Sequence, residues 1–453
     1  MSKTVYMDQT AIMGRAFWEH LSELRSNVLV ANSDLCGIIG FETEYLLTDR
    51  YFNLADEEMR NRLIGDAPFM KREIGASQIE LVSRPFSLKD GTEHLIGEME
   101  EMEQQAFAAA SSYNNRLLRL GIYPGQITDL KITDDPSTYQ TVLDQFKSER
   151  KRYLDLHLGA VNLSERAHEL ISGCQSTQMN MQVNYSQNAI HLLNKTIEIS
   201  PMFIALGANS PIFDGRMTGL LETRHLVWEI GYDMRSYPEF VSEMNSRTSF
   251  PNQYYVNLNH YWTTLYQQKF MKYDPHNAFN LNQKMNWKIA RLKLVGSKPS
   301  VCLLETRFMP VQPTLKEDLA LHLAVYALLD LSLANEPTQL LPIVFVKENF
   351  RRASRYGLDC EFYDLTPDRK GIVEYPVVRI IRQALELICE YWKRISLAAS
   401  MLIEEVIGSR LAIGPPALAL IKSIGPNPLN KNLVMADIKK IMSMHCVPSK
   451  IIN

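Results

Sequence analysis

Apolar and polar positions recur along this chain with two different periods, and each change of period marks an element. Residues 8–31 place Ile12, Ala16, Phe17, Leu21, Leu24 and Val28 at helical spacing, which predicts a leading helix. The period then drops to two. Gly37-Ile38-Ile39 opens a strand that continues through Gly40-Phe41-Glu42-Thr43-Glu44-Tyr45-Leu46-Leu47. A second strand is predicted within 74–82, centred on Gln78-Ile79-Glu80-Leu81-Val82 and closed by Arg84-Pro85. Residues 93–120 read as one long helix, with Leu95, Met99, Met102, Ala106, Leu117 and Leu118 on its apolar face and Gly121 as its stop. Residues 148–171 are helix-prone and highly charged.

A strand over 178–184 sets Gln178, Asn180, Gln182 and Asn184 on one face. Residues 187–199 predict a helix that stops at Pro201. A small-residue loop, Ala205-Leu206-Gly207-Ala208-Asn209-Ser210-Pro211, then runs through Asp214-Gly215 to Thr223-Arg224-His225. Strands follow over 287–294 and 301–309, the first carrying Arg291, the second Glu305 and Arg307 on one face. Residues 317–334 are apolar nearly all round, the pattern of a buried central helix. A basic helix over 347–357 carries Arg351, Arg352 and Arg355, by default a solvated face. The remainder is helical, broken at Gly414-Pro415-Pro416 and ending in a polar tail.

Composition narrows the class. A chain of 453 residues with 46% hydrophobic content has ample material for a large core. A net charge of −3 gives no global basic field for nucleic acid or anionic membrane. Six scattered cysteines form no C-x-x-C and no metal-ligand spacing, which suits a reducing compartment. The first residues lack the apolar core of a signal peptide, and no run approaches the roughly 18 apolar residues of a spanning helix. The expectation is a soluble, cytoplasmic protein acting on small molecules; oligomeric state stays open, a homo-oligomer included.

The chemistry concentrates on the first strand. Glu42 and Glu44 share a face, roughly 7 Å apart along the strand. Two carboxylates in a strand otherwise rich in Ile, Phe, Tyr and Leu are costly unless cations neutralise them. Taken alone, the pair suits a solvated edge strand equally well. The amide row from Gln178 to Asn184 is likewise either a half-exposed strand or a face that hydrogen-bonds a polar ligand.

Eight blocks in order carry a resemblance. Gly40 to Glu44 resembles a G-x-E-x-E opening strand. Glu73 with Gln78-Ile79-Glu80-Leu81-Val82-Ser83 is similar to a Glu followed by a V-E-L-x-T run. Thr177-Gln178-Met179-Asn180, Ala205 to Gly215 and Thr223-Arg224-His225-Leu226-Val227-Trp228 resemble T-V-Q-V-N, A-L-F-A-N-S-P-F-x-x-G and S-x-R-x-x-x-W. Trp287 to Arg291 is similar to W-x-x-x-R, Leu303 to Arg307 to T-x-E-x-R, and Glu348 to Asp359 to E-N-x-x-x-A-x-x-x-G-L-D. Together, over roughly residues 36–365, these look like the carboxylate–amine ligase family that includes the plant-type and proteobacterial glutamate–cysteine ligases. Gln178 and Asn180 stand where many bacterial members carry His-x-His.

The resemblance implies an α+β fold: a curved, mainly antiparallel sheet of the glutamine synthetase-like catalytic type, flanked by helices. It implies a catalytic domain over 1–369, with a helical C-terminal region, 370–453, packed on it. The implied reaction activates a carboxylate, that of glutamate at its γ position, with ATP and joins it to an amine. Mg²⁺ favours hard oxygen ligands, so Glu42, Glu44, Glu80 and Glu305, with Glu73 as a fifth, are the expected metal ligands. Arg224, Arg307 and Arg291 are the expected phosphoryl-stabilising cations. Gln178, Asn180, Asn209, Ser210 and Arg355 would bind substrate or ATP. Residues 250–285, rich in Tyr and Trp and weak in periodicity, are read as a lid over the acceptor site, or else as an insertion packed on its own aromatics. Two other classes stay open: a guanidino or amine phosphotransferase, and a non-catalytic binding protein that kept the fold.

Overall fold

The period-two stretch forms a long central strand, and the rest of the molecule is laid against it. The structure, a computed structural model, describes residues 2–133, 157–158, 161–162, 169, 171–233, 235–268, 270, 272–334, 339–425 and 433–446. Most of the charged segment expected to be helical at 148–171, and the end of the C-terminal tail, lie outside the described residues. In chain order the elements used below are α1 (Ser2–Ser26), β1 (Leu35–Asp49), α2 (Glu57–Asp66), β2 (Met70–Arg72), β3 (Gln78–Val82) and β4 (Phe86–Ser87). Then come α3 (Thr92–Ser112), β5 (Asn115–Leu118), β6 (Thr177–Val183), α4 (Gln187–Gly207), α5 (Arg224–Gly231) and α6 (Leu258–Tyr266). The chain continues with β7 (Ala290–Gly296), β8 (Ser300–Thr306), α7 (Leu315–Ala334), α8 (Ile343–Tyr356), α9 (Val377–Lys393), α10 (Leu397–Ile413), α11 (Pro416–Ile424) and α12 (Met435–Met444).

Eight strands make one sheet in the order β7-β8-β6-β1-β3-β2, with β4 and β5 also paired to β1. Every pairing in it is antiparallel. The fold is therefore the expected α+β class, a curled antiparallel sheet with helices. Alternation decides which face is which. Phe41, Met179, Met181, Leu292 and Leu304 point into a core shared with α4 and α7. Tyr45, Leu47, Ile79 and Leu81 point into a second core with Ala106 and Phe107 of α3. Each large side chain so buried contributes about 1.5–3 kcal/mol of transfer free energy, so the register cannot slip by one residue without exposing the set. The other face carries the polar side chains, with Leu46 at one end buried in a smaller apolar cluster.

Several boundaries differ from the sequence expectation, each for a physical reason. α3 ends at Ser112, not near Leu120, because Asn114 turns left-handed (φ 57°). Leu117 and Leu118 then become strand residues opposite Leu47 and Leu46. α4 runs through Pro201. The Ile197 carbonyl that loses its helical donor there accepts the Ser200 hydroxyl instead, at 2.9 Å.

The lid expectation for residues 250–285 is corrected. Tyr261 and Trp262 are fully buried in the main core. The Tyr261 hydroxyl donates to the Leu292 carbonyl (2.8 Å) and accepts the Leu292 N–H (3.0 Å). α6 thereby covers the open edge of β7, which would otherwise offer unpaired backbone groups. These aromatics are structural.

The expected division at 369/370 falls in the turn of a hairpin, Glu361–Leu365 paired with Ile372–Pro376. Beyond it, Trp392 of α9 donates its indole N–H to the Leu323 carbonyl of α7 (3.0 Å), and Ile403 and Ile407 of α10 join the same core. α12 returns to the sheet, packing Ile438, Ile441 and Met442 against Leu46 and Leu118. Among the described residues, no helix is long and apolar enough to cross a membrane.

Candidate active site

The polar face of the sheet carries one continuous row of functional side chains. Glu44 lies opposite Glu80, Glu42 opposite Gln178, and Asn180 opposite Gly40 on one side and Glu305 on the other. Glu305 in turn lies opposite Arg291. Five strands thus deliver to one surface the residues expected there.

The end of the row nearest β3 is acidic. Glu44, Glu73 and Glu80 each offer a carboxylate oxygen within 4.8 Å of the others. Glu73 comes from the loop before β3. Gly75 lets that loop fold in, since a Cβ there would meet the Ser172 carbonyl oxygen at 2.5 Å. The fully buried Arg60 pins it by donating to the Gly75 carbonyl at 2.7 Å. Glu44 accepts the Ser176 N–H (2.6 Å) and the Gln178 amide (3.2 Å), and Glu73 accepts the Ile74 N–H (3.2 Å).

These bonds do not neutralise the group. Burial raises the pKa of Glu44 above the ordinary carboxylate range. Burial and the neighbouring Glu44 push Glu73 up to about 8. Burial, then Glu42, lifts Glu80 well above the usual value. Glu42 is more open and accepts the Asn180 amide at 2.9 Å.

The other end is basic. Glu305 is fully buried and ion-paired with Arg291, with Lys293 (2.7 Å) and with Arg307 (3.3 Å). Burial opposes its ionisation, but these cations, Arg291 first, hold its pKa far below the usual range. The second Arg291 branch donates to the carbonyls of Gln283, Lys284 and Asn286 at 3.0–3.1 Å. Arg307 donates to Gln178 Oε1 at 2.7 Å. Gln178 is the joint between the halves, since its amide nitrogen donates to Glu44.

Arg224 comes from the 205–224 loop, which turns on Asp214 (φ 50°) and Gly215 (φ 69°) between two short paired strands. Ser210 Oγ accepts the N–H groups of Thr223 (2.7 Å) and Arg224 (3.1 Å), fixing the start of α5. The Arg224 guanidinium donates to the Phe308 carbonyl at 2.8 Å and lies 3.5 Å from Glu222. It braces the segment that follows Glu305 and Arg307.

The row brings together Glu42, Glu44, Glu73, Glu80, Gln178, Asn180, Glu305, Arg291 and Arg307, as the sequence implies. Other expectations need correcting. Glu305 lies outside the close carboxylate group and is clamped by cations instead. Arg291 has both branches committed to protein acceptors, so it positions Glu305. Asn209 and Ser210 are buried, and their side chains bond the Val311 carbonyl (2.8 Å) and the start of α5. Arg355 is exposed on α8 over its neighbour Tyr356, and among the described residues no hydrogen bond or ion pair joins it to the row. Lys293 and Arg60 were not foreseen. Lys293 was within reach, standing two residues beyond Arg291 on the same strand face; nothing in the sequence signals Arg60.

Known proteins point the same way. The model of glutamate–cysteine ligase family 2 (GCS2) matches residues 38–386. A provisionally named glutamate–cysteine ligase 2 of Clavibacter michiganensis subsp. michiganensis is 24% identical over 331 residues, covering 71% of this chain and 74% of its own. An uncharacterised protein of Archaeoglobus fulgidus is 24% identical over 398 residues, 84% of this chain and 94% of its own. The crystal structure of a glutamate–cysteine ligase from Francisella tularensis in complex with AMP shares the fold: TM-score 0.58, 14% identity, covering 92% of this chain and 93% of that one. A bifunctional glutathione synthetase from Pasteurella multocida gives a TM-score of 0.53 at 13% identity, covering 95% of this chain and 54% of its own. The family match takes in every side chain of the row, and this chain belongs to glutamate–cysteine ligase family 2.

Proposed function

We propose that the protein is an ATP- and Mg²⁺-dependent ligase that joins a carboxylate, the γ-carboxylate of glutamate, to an amine through an acyl phosphate. The observation that carries this reading is the group of Glu44, Glu73 and Glu80, three carboxylates within 4.8 Å whose charged forms the protein itself leaves poorly compensated. Hard oxygen donors in that number suit a divalent ion such as Mg²⁺. Asn180 Oδ1, buried without a partner beside Glu42, is a further acceptor facing the same row. Glu42, Glu44, Glu73 and Glu80 would hold the ion. When bound, it supplies charge neutralisation for a transferring phosphoryl group. The AMP in the Francisella complex supports a nucleotide substrate.

The chain's own residues divide the remaining work. Arg307 stands beside Gln178, its guanidinium held by Glu305 yet close to Glu42 and Glu44, where negative charge from phosphate would gather. A substrate carboxylate oxygen attacks the γ-phosphorus and ADP leaves. The amine nitrogen then attacks the acyl carbon, inorganic phosphate leaves, and the amine gives up a proton.

The test is a screen of the purified protein with ATP, Mg²⁺, glutamate and a panel of amines, with mass analysis of products. Amide, ADP and phosphate formed only when acid and amine are both present is the expected result. A phosphorylated amine or guanidine without amide would replace this reading with phosphotransfer. Absence of Mg·ATP binding by calorimetry would replace it with a binding role.

A further inference from the structure

Among the cations of the row, Lys293 is held differently. Its strand neighbours Leu292 and Leu294 are buried in the core, so alternation points Lys293 onto the polar face. Arg291 is fixed by Glu305 and three backbone carbonyls, and Arg307 by Glu305 and Gln178. The Lys293 ammonium instead meets two carboxylates: Glu305 Oε1 at 2.7 Å and Glu42 Oε1 at 3.9 Å. Glu305 keeps two guanidinium partners without it. The positive charge of Lys293 is therefore surplus to Glu305 and available to Glu42, which stands at the edge of the acidic group.

An ammonium on a four-carbon stem can turn between partners in a way a forked, pinned guanidinium cannot. We infer that Lys293 is a positioning residue that couples metal to nucleotide: it neutralises Glu42 while no ion is bound, yields Glu42 to the ion, and turns its charge to the nucleotide phosphate. This rests on the ligase reading above. A cation that stands in for the metal competes with it. The same cation, once released, favours the anion that follows, so metal and nucleotide reinforce each other's binding through one side chain.

The experiment is a titration of the nucleotide-free protein with Mn²⁺, followed by electron paramagnetic resonance, together with steady-state kinetics in Mg·ATP. Lys293→Met should bind Mn²⁺ about fivefold more tightly than wild type, the loss of one partly exposed competing charge. It should also raise KM for Mg·ATP, while Lys293→Arg, which keeps the competing charge, should show no gain in Mn²⁺ affinity over wild type. The gain in Mn²⁺ affinity should vanish when Lys293→Met is placed in a Glu42→Gln background. Lys293→Gln carries the same expectations and serves if the methionine variant does not fold. Equal or weaker Mn²⁺ binding by Lys293→Met overturns the inference while leaving the ligase reading intact. Wild-type protein that neither binds Mn²⁺ nor forms amide overturns both.

Discussion

Replacing Glu73 with glutamine should stabilise the metal-free protein, and the gain should grow with pH. Glutamine keeps the oxygen that accepts the Ile74 N–H and removes only the charge. The sign follows from the direction of the shift. The Glu73 carboxyl holds its proton up to about pH 8 in the folded protein, whereas it ordinarily titrates near 4.5. Its stabilising contribution is therefore complete below the unfolded value and is lost as pH rises toward 8. At 1.36 kcal/mol per pH unit the loss approaches about 4 kcal/mol, and partial exposure of the group screens it to about 2–3 kcal/mol. Urea unfolding of both proteins in EDTA, near pH 5 and near pH 8, reads the difference directly. The variant should be more stable by about 2–3 kcal/mol near pH 8 and by less than about 1 kcal/mol near pH 5. Adding Mg²⁺ should narrow or reverse the order, because the wild type gains more from the ion. A gain independent of pH, or none near pH 8, would show that Glu73 is not part of a strained carboxylate group.

Other substitutions separate chemistry from support. Glu42→Gln should abolish product formation while leaving the circular dichroism spectrum and melting temperature of the metal-free protein unchanged or raised, since it removes charge from an acidic neighbourhood. Arg291→Lys cannot reproduce the paired contact to Glu305 and the three carbonyl bonds together, so chemical denaturation should show a loss of about 3 kcal/mol. Tyr261→Phe deletes the hydroxyl that both donates to and accepts from Leu292; stability should fall by about 1–2 kcal/mol, with ATP hydrolysis still dependent on amine. Arg355→Ala should leave KM and kcat within about twofold of wild type, the behaviour of an exposed surface residue.

What the sequence made legible is what alternation and spacing encode. β1 and β6 announce themselves because Phe41, Tyr45 and Leu47 flank Glu42 and Glu44 at a period of two, and Met179, Met181 and Val183 alternate with Gln178, Asn180 and Gln182. That pattern also predicts that Glu42, Glu44, Gln178 and Asn180 face one way. It says nothing about which strands are neighbours. The meeting of Asn180 with Glu305, 125 positions away, depends on pairing chosen by the whole core. Glu73 lies in a loop and has no periodicity to betray it; the resemblance supplied it. The aromatic segment around Tyr261 misled because its partner, the backbone edge at Leu292, is invisible in a linear reading. The arginines misled for a related reason. A sequence shows that Arg291 is charged, but not that its donors are already spent.

The division of the row into two halves has a consequence for how the acidic half stays available. Four cations lie on or beside a face that bears five carboxylates, yet the trio of Glu44, Glu73 and Glu80 keeps raised pKa values. Burial is the first cause, and Glu305 leaves it uncompensated. Being fully buried and ionised, Glu305 holds Arg291 and Arg307, and Phe308 and Glu222 occupy Arg224. On the ligase reading, a carboxylate outside the close acidic group helps define the ion site by holding guanidinium groups away from it. The repulsion left among Glu44, Glu73 and Glu80 lowers the stability of the metal-free protein, and on the ligase reading a divalent ion would relieve it. Strain of this kind persists only where surrounding structure over-determines it. Here Arg60 and the Gly75 turn hold Glu73 in place, and the pairing of β1 with β3 holds Glu44 against Glu80.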